Sequence, residues 1–261
     1  MDLALTGKRA LVCGASQGIG RAVAMELAAL GAGVTALARN ASLLAGTVAA
    51  LDRRNGQVHD LVGVDMSATE ELARSISEAN GRHPFDIVVN NTGGPPPGPA
   101  HSASVEDFEA AFRLHLLGYQ TIVRAVVPGM KERKHGRIIN IISTSVKQPL
   151  PNLGVSNTIR GAVAQWSKTL ANELGPFGIT VNNVLPGATN TDRLAAIIRN
   201  KSTKSGATEA EATDEMIREI PLRRFAAPEE IAYAVAFLAG PSGGYINGIN
   251  LPVDGGRTGC L

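Results

Sequence analysis

The stretch Arg9-Ala10-Leu11-Val12-Cys13-Gly14-Ala15-Ser16-Gln17-Gly18-Ile19-Gly20 decides the fold of this chain. Its first five residues are mainly apolar and predict a short buried strand, and an alanine-rich amphipathic segment follows the glycines to about Leu30. Glycines let the backbone approach a pyrophosphate closely, and the free N–H groups at the start of a helix attract its negative charge. The order of strand, glycine turn and helix therefore predicts a nucleotide-binding turn.

Strands and helices alternate along the rest of the chain. Apolar strands are predicted at residues 33–38, 58–64, 85–90, 137–142, 179–184 and 249–253, with helical segments that include 70–80, 105–130 and 155–174. Repeated β-then-α order implies right-handed crossovers and a ligand crevice at the carboxyl ends of the strands. We expect an α/β protein whose residues 1–261 form one Rossmann domain, with a doubly wound parallel sheet of about seven strands and helices on both faces.

One segment interrupts this alternation. Residues 191–219 are charged and helix-prone, and they follow the strand predicted at 179–184. An insertion on the crevice side of such a sheet is typical of a lid. We therefore predict a lid-like insertion at about residues 191–219.

Composition excludes several classes of protein. Apolar residues make up 44% of the 261, and the net charge of +2 falls short of the concentrated basic surface of a nucleic-acid binder. The two cysteines, Cys13 and Cys260, lack metal-ligand spacing, and no apolar run is long enough to span a bilayer. We expect a cytoplasmic protein with no metal site and with neither nucleic acid nor membrane as a partner.

Further motifs follow the predicted strands in a fixed order. Asp65-Met66 follows the third strand, Asn90-Asn91-Thr92-Gly93 the fourth, Ser143 the fifth, Pro186-Gly187 with Thr191 the sixth, and Asp254-Gly255-Gly256 the last. With the first glycine turn, they resemble the short-chain dehydrogenase/reductase family, and the 3-oxoacyl-acyl-carrier-protein reductases in particular, over essentially the whole chain. The resemblance implies an oxidoreductase that acts on a small-molecule carbonyl or alcohol with a nicotinamide cofactor.

The residues at the end of the second predicted strand indicate which cofactor. Ala38 occupies the place where NAD-dependent relatives carry an acidic residue, and the guanidinium of Arg39 can bind a 2′-phosphate, so NADP is expected rather than NAD. The cofactor-binding residues that the resemblance implies are Gly14, Ser16, Gln17, Gly18, Ile19, Gly20, Arg39, Asn40, Asp65, Met66, Asn91, Thr92, Gly93, Arg160, Pro186, Gly187 and Thr191.

The chain departs from the family where the chemistry is expected. In the family, a Tyr lies thirteen residues after the serine and a Lys four residues further, and counting from Ser143 places Ser156 and Arg160 there. A serine hydroxyl is much less acidic than a phenol and ends about 4 Å short of the phenolic oxygen. Arg160 keeps the positive charge and can hold the ribose hydroxyls, but it cannot shuttle protons. For Ser156 the alternative is a role in helix N-capping.

A third departure is His115, at a position where the family usually has an Asn that supports a proton relay through water. Histidine can replace that relay and titrates in the useful range, and the alternative is a structural histidine satisfied by a backbone carbonyl. We expect Ser143, Ser156, Arg160 and His115 to line one pocket around the nicotinamide ribose.

Other groups that could carry a proton are few. Lys147 is the best of them, with a solvated loop lysine as the alternative. The three tyrosines, Tyr119, Tyr233 and Tyr245, fall outside the segments that the family brings to the nicotinamide.

Three functions remain open from the sequence. The first is an NADP-dependent oxidoreductase with a non-standard proton relay. The second is a non-redox isomerase, dehydratase or lyase on the same fold, and the third is a catalytically silent nucleotide-binding protein.

The resemblance also implies a homotetramer or a homodimer. Small and apolar residues on one predicted helix suit close helix approach, namely Ala162-Val163-Ala164, Trp166 and Leu170. The alternative is that this face packs only on the protein's own sheet.

Overall fold

A seven-stranded parallel sheet forms the centre of the computed structural model, which describes residues 1–260. The strands run in the order β3-β2-β1-β4-β5-β6-β7, and all pairs are parallel. They are β1 (Arg9–Cys13), β2 (Gly33–Ala38), β3 (Asp60–Gly63), β4 (Ile87–Asn90), β5 (Gly136–Ile141), β6 (Ile179–Pro186) and β7 (Asn250–Val253). The predicted fold class, the parallel sheet and the number of strands are confirmed.

Nine α-helices accompany these strands within residues 1–260. They are α1 (Gly18–Ala29), α2 (Ala41–Ala49), α3 (Thr69–Arg82), α4 (Val105–Phe112), α5 (Gly118–Glu132), α6 (Gly154–Leu174), α7 (Asp192–Ser205), α8 (Glu209–Arg218) and α9 (Pro228–Ala239).

Two hydrophobic cores cover the two faces of the sheet. Side chains alternate along β1, so Ala10 and Val12 join the core that α1 and α9 cover, whereas Leu11 and Cys13 join the core beneath α3, α5 and α6. Burial on both faces explains why the strands are almost continuously apolar.

Helix α9 is missing from the elements that the sequence analysis predicts. It begins with Pro228 at its first position and buries Ile231 and Val235, one turn apart, against α1. A proline at the start, Glu229 and Glu230 in the first turn and apolar residues at helical spacing are signals that the sequence does carry.

A π-helical turn, Arg113–Leu117, joins α4 to α5 within one continuous helical stretch. Such turns add one residue to the helix and occur frequently at functional sites. This one carries His115, which is fully buried.

Four asparagines form a row across neighbouring strands, because Asn90, Asn140, Asn183 and Asn250 are aligned by the strand register. The Nδ2 of Asn90 donates to Asn140 Oδ1 over 2.8 Å, Asn140 Nδ2 donates to Asn183 Oδ1 over 3.1 Å, and Asn183 Nδ2 donates to Asn250 Oδ1 over 2.8 Å. Ser167 of α6 accepts a second hydrogen bond from Asn140 Nδ2. The row ties four strands together, with Asn90 and Asn140 at or near the carboxyl ends of β4 and β5 and Asn250 at the start of β7.

Across residues 1–260, no helix combines the length and the apolar character that crossing a membrane requires.

Candidate active site

A large crevice of about 1990 Å³ opens at the carboxyl ends of the strands. Strand order changes direction between β1 and β4, which is where parallel sheets of this kind bind nucleotides. Of the predicted cofactor and catalytic residues, all except Gly20 and His115 line this crevice. Their roles toward a ligand remain predictions.

The glycine turn leads from β1 into α1 as the sequence predicts. Gly14 has a φ of 62°, and a Cβ there would lie 2.6 Å from Asn91 Nδ2. Gly20 stands behind the crevice wall, since a Cβ there would collide with the carbonyl oxygen of Gly14. The first turn of α1 thus presents its backbone N–H groups to the crevice through Gly18 and Ile19.

Arg39 marks the far end of the crevice. Its side chain is 81% exposed, and its Nη1 lies 3.7 Å from Oδ2 of Asp65. Although burial opposes it, hydrogen bonds from Ser67 and the charge of Arg39 hold the pKa of the Asp65 carboxyl below its usual value. Asn40 accepts a hydrogen bond from Leu43 N at the start of α2, which leaves its Nδ2 to donate.

Ser143, Ser156 and Arg160 line the crevice away from Arg39. Ser143 follows β5, and its hydroxyl oxygen accepts a hydrogen bond from Ser145 N over 3.1 Å, which leaves its O–H to donate. Ser156 lies two residues inside α6, whose N-cap is Leu153, so the capping alternative for Ser156 is wrong.

Arg160 is 5% exposed, and its Nη1 donates to Ile141 O over 3.2 Å. Burial lowers the pKa of this guanidinium, and the Tyr119 hydroxyl beside it opposes that shift. The guanidinium group of Arg160 is thus fixed at the base of the crevice by its hydrogen bond to the end of β5.

Tyr119 lies close to the site without lining the crevice, and the expectation that no tyrosine falls in a segment near the nicotinamide stays a prediction. The structure buries Tyr119 fully, with its hydroxyl 3.4 Å from Oγ1 of Thr92 and beside the guanidinium of Arg160. Burial raises the pKa of this phenol. A neutral phenol therefore stands behind the crevice wall.

His115 lies in a different place from the one expected. It lines a second cavity of about 400 Å³ beside the proline-rich loop at residues 94–99, while its Nδ1 lies 2.5 Å from Thr92 Oγ1. Its Nε2 is buried and has no hydrogen-bond partner among residues 1–260. Burial, with the charges of Arg160 and Arg193, lowers the pKa of His115 to about 2. The expectation that this ring titrates in the useful range is wrong, because at neutral pH it is uncharged.

Two further predictions concern Lys147 and the proposed assembly face of α6. Lys147 follows the short 3₁₀ turn after Ser143 and lies outside the crevice lining, as its solvated-loop alternative predicts. Val163 and Ala164 of α6 are buried in the protein's own core, and Trp166 donates from Nε1 to Gln120. This face of α6 therefore packs largely on its own sheet.

Arg193 is a crevice residue that the sequence analysis did not single out. It lies in the first turn of α7, two residues after Thr191, whose side chain accepts from Leu194 N as the N-cap. The Nη1 of Arg193 donates to Gly94 O over 3.0 Å, across the mouth of the crevice. The sequence shows a cation two residues after Thr191. It does not show that this side chain contacts Gly94, which lies 99 residues away in the chain.

Comparisons with known proteins agree with this geometry. A family model described as enoyl-(acyl carrier protein) reductase matches residues 14–258. The chain is 35% identical over 259 residues to a 3-oxoacyl-[acyl-carrier-protein] reductase of Synechocystis, with 98% of each chain covered. It is 33% identical over 256 residues to a 2,3-dihydro-2,3-dihydroxybenzoate dehydrogenase of Bacillus subtilis, with 97% of each covered.

Among solved structures, the fold matches L-sorbose reductase from Gluconobacter frateurii, which was crystallised with NADPH and L-sorbose. The TM-score is 0.93 at 30% identity, and 100% of each chain is covered. A family model that spans nearly the whole chain and relatives of this similarity lead to one conclusion: the chain belongs to the short-chain dehydrogenase/reductase family.

Proposed function

We propose that this protein is an NADP-dependent oxidoreductase that acts on a small-molecule carbonyl or alcohol through a non-standard proton relay. One observation carries the proposal: a single crevice joins Arg39, the open N-terminus of α1, and the cluster of Ser143, Ser156 and Arg160. These groups suit, in that order, a 2′-phosphate, a pyrophosphate and a reacting carbonyl.

The choice of NADP rests on the end of β2. Ala38 has no carboxylate to repel a 2′-phosphate, and Arg39 is exposed enough to turn its donors toward one. The ion pair between Arg39 and Asp65 is weak, because its atoms are 3.7 Å apart and exposed to solvent, so a phosphate competes readily with Asp65 for Arg39. The solved relative with NADPH in its crystal supports the same choice.

The proton relay rests on the two substitutions in α6. A bound cofactor supplies or accepts the hydride, and the side chains of this site must orient the carbonyl and handle the proton. Ser143 donates its O–H to the carbonyl oxygen, and Arg160 stabilises the negative charge that develops there. Water in the space beside the short side chain of Ser156 supplies the proton.

His115 and Tyr119 support this site from behind. Both are neutral and both lie near Thr92, whose backbone belongs to the turn after β4. We assign them to holding Thr92 and Arg160 in place, and a relay through His115 requires water in the second cavity as the proton partner of Nε2 while the ring exchanges its two neutral tautomers. Helices α7 and α8, over residues 192–218, act as the lid.

The test is turnover with NADPH and a panel of ketones, aldehydes and keto acids, followed by the loss of reduced-nicotinamide absorbance. We expect consumption of NADPH with at least one member, and we expect Ser143→Ala to lower kcat by at least 100-fold while NADPH affinity stays unchanged. Turnover of a substrate without any change in that absorbance would establish the non-redox alternative. Tight NADPH binding with no turnover of any compound would establish a silent nucleotide-binding protein. The non-redox alternative is disfavoured because the relatives in the comparison are named as reductases and dehydrogenases.

A further inference from the structure

The substrate end of the crevice carries a surplus of positive charge. Its charged lining side chains are six cations and two carboxylates, namely Arg113, Arg160, Arg193, Lys201, Lys204 and Arg257 against Asp192 and Glu219. Glu219 already pairs with Arg257, and Lys201 pairs with Glu215. Asp192 is therefore the one lining carboxylate left to face four cations at this end, within the part of the chain that the structure describes.

Two of these cations lie close enough for their charges to repel each other. Arg160 is buried at the base of the crevice and Arg193 crosses its mouth, and the charge of Arg160 lowers the pKa of Arg193 in addition to the effect of burial. Across residues 1–260, no carboxylate lies within 4.0 Å of either guanidinium. Two like charges that line one crevice without a carboxylate partner favour the binding of an anion near them.

Arg193 is held in a defined position with donors to spare. One hydrogen bond, from Nη1 to Gly94 O, fixes the guanidinium against the turn after β4. Gly94 makes room for it, since a Cβ there would lie 2.6 Å from Nη2. A guanidinium has five N–H donors, so Nε and Nη2 remain to bind a carboxylate in the bidentate manner.

The phosphates of the cofactor have other partners. The pyrophosphate belongs at the start of α1, where Thr191 stands against Gly18 with its Cγ2 3.2 Å from the place of a Cβ. The 2′-phosphate belongs at Arg39, at the opposite end of the crevice. The side chain of Arg193 instead reaches Gly94, next to the turn that the resemblance brings to the nicotinamide.

Resting on the proposed function, we propose that the substrate is an anion, a keto acid or hydroxy acid whose carboxylate binds Arg193 while Arg160 faces its reacting carbonyl. Arg193 is thus the residue that selects acids over neutral ketones.

The first experiment measures binding without turnover. Protein saturated with NADP is titrated calorimetrically with malonate, succinate and glutarate, and with the diamide of each. We expect at least one diacid to bind at least 10-fold more tightly than its diamide. Replacing Arg193 by Met should weaken that diacid by about 10- to 100-fold, the range of a lost charge-assisted pair.

Two variants make the test specific. The matched control is Arg199→Met, which removes the same charge from the same helix at a position outside the crevice lining, and it should change diacid affinity by less than about twofold. The second variant, Gly94→Ala, keeps every charge but displaces the guanidinium, and it should weaken the diacid in the same direction as Arg193→Met.

Three outcomes would overturn the inference: diacids that bind no better than diamides, equal losses in Arg193→Met and Arg199→Met, or a loss of NADPH affinity in Arg193→Met that exceeds the loss for the diacid. The last result would assign the cation to the cofactor's pyrophosphate. Inorganic phosphate that binds more tightly than every diacid, with the same dependence on Arg193, would replace the carboxylate by a phosphate ester.

A kinetic arm separates this inference from the proposed function. With 2-, 3- and 4-oxo acids, each beside its methyl ester, Arg193→Met should raise KM for the acid by about 10- to 100-fold and leave KM for the ester within about threefold. Turnover of neutral ketones together with no diacid binding refutes the inference alone. Diacid binding without any turnover supports the inference and refutes the proposed function.

Discussion

The guanidinium of Arg160 donates from Nη1 to the backbone carbonyl of Ile141, two residues before Ser143. This bond joins α6 to the end of β5 and fixes the cation near Ser143, the predicted catalytic serine. A lysine has a single compact ammonium group with no second donor nitrogen, whereas the fork of Arg160 contacts the backbone and still presents donors to the crevice. The positive charge of Arg160 therefore occupies a fixed position in the crevice lining.

Restoring the family's usual pair should speed simple ketone reduction. Ser156 and Arg160 line the same crevice, and the phenol and ammonium of Tyr and Lys act as a unit. The double variant Ser156→Tyr with Arg160→Lys should raise kcat for a neutral ketone by about 10²–10⁴-fold, the usual value of positioned acid–base catalysis. Each single variant should change it by less than about 10-fold. Fast reduction by the unmodified protein, with Ser156→Ala inert, would show that the proton donor lies elsewhere.

Arg39 should decide the choice of cofactor. Replacing it by Ala removes an exposed guanidinium that is expected to bind the 2′-phosphate, and NADP affinity should fall by about 10- to 100-fold while NAD affinity changes little. Isothermal calorimetry with both nucleotides measures this. Arg74→Ala, an exposed arginine on α3, is the control and should leave both affinities unchanged. An Arg39→Ala protein that still prefers NADP would contradict the assignment.

Burial of neutral His115 should make the fold sensitive to acid. The unfolded chain takes up a proton near pH 6.5, whereas the folded ring takes it up only near its pKa of about 2. The contribution of the neutral His115 ring to the free energy of unfolding is therefore fully present above about pH 6.5. It is lost as pH falls below that value, by up to about 1.4 kcal/mol per pH unit. In urea unfolding between pH 8 and pH 5, the free energy of unfolding should fall less steeply with decreasing pH for His115→Asn than for the unmodified protein. His83→Asn, at an exposed position, should leave the slope as it is.

The asparagine row should contribute strongly to stability. Asn140 is fully buried and bonds Asn90, Asn183 and Ser167, so Asn140→Leu leaves several buried polar groups without a partner. The expected cost is about 2–5 kcal/mol in the free energy of unfolding, measured by urea denaturation. Val181→Ala in the same strand layer loses apolar volume only and serves for comparison. A cost below about 1 kcal/mol for Asn140→Leu would show that the row is not cooperative.

Assembly into a homotetramer or homodimer remains a prediction from the resemblance. Because Val163 and Ala164 are buried in the protein's own core, the contact must use other residues near α4 and α6. Phe112 is 40% exposed and Val105 is 68% exposed, and both lie on α4. Light scattering at micromolar concentration should give a multiple of the 27.1 kDa chain, and Phe112→Asp should shift it toward the monomer. Val58→Asp, an exposed apolar residue beside β3, should have no such effect.

Local sequence determined the fold and the nucleotide-facing half of the site. The run from Arg9 to Gly20 contains its own strand, its turn and the start of its helix, because glycines permit the φ of 62° at Gly14 and the close packing at Gly20 whatever the rest of the chain does. Regular alternation of apolar strands and helices then predicts a parallel sheet with right-handed crossovers, and the strand order comes from the tertiary structure. Helix α9 was not predicted, although the signals for it are local in the sequence.

Only the tertiary structure decided the electrostatics of the reacting end. Tyr119 comes to Arg160, and Arg193 comes to Gly94, through contacts between segments far apart in the chain. From the sequence, His115 is predicted to be a titratable relay. In the structure its pKa is lowered to about 2, because the surrounding helices exclude water and two guanidinium groups lie near the ring. Burial and distance between remote charges set these properties, and neither is a function of local sequence, since the energy of a charge depends on what surrounds it in space.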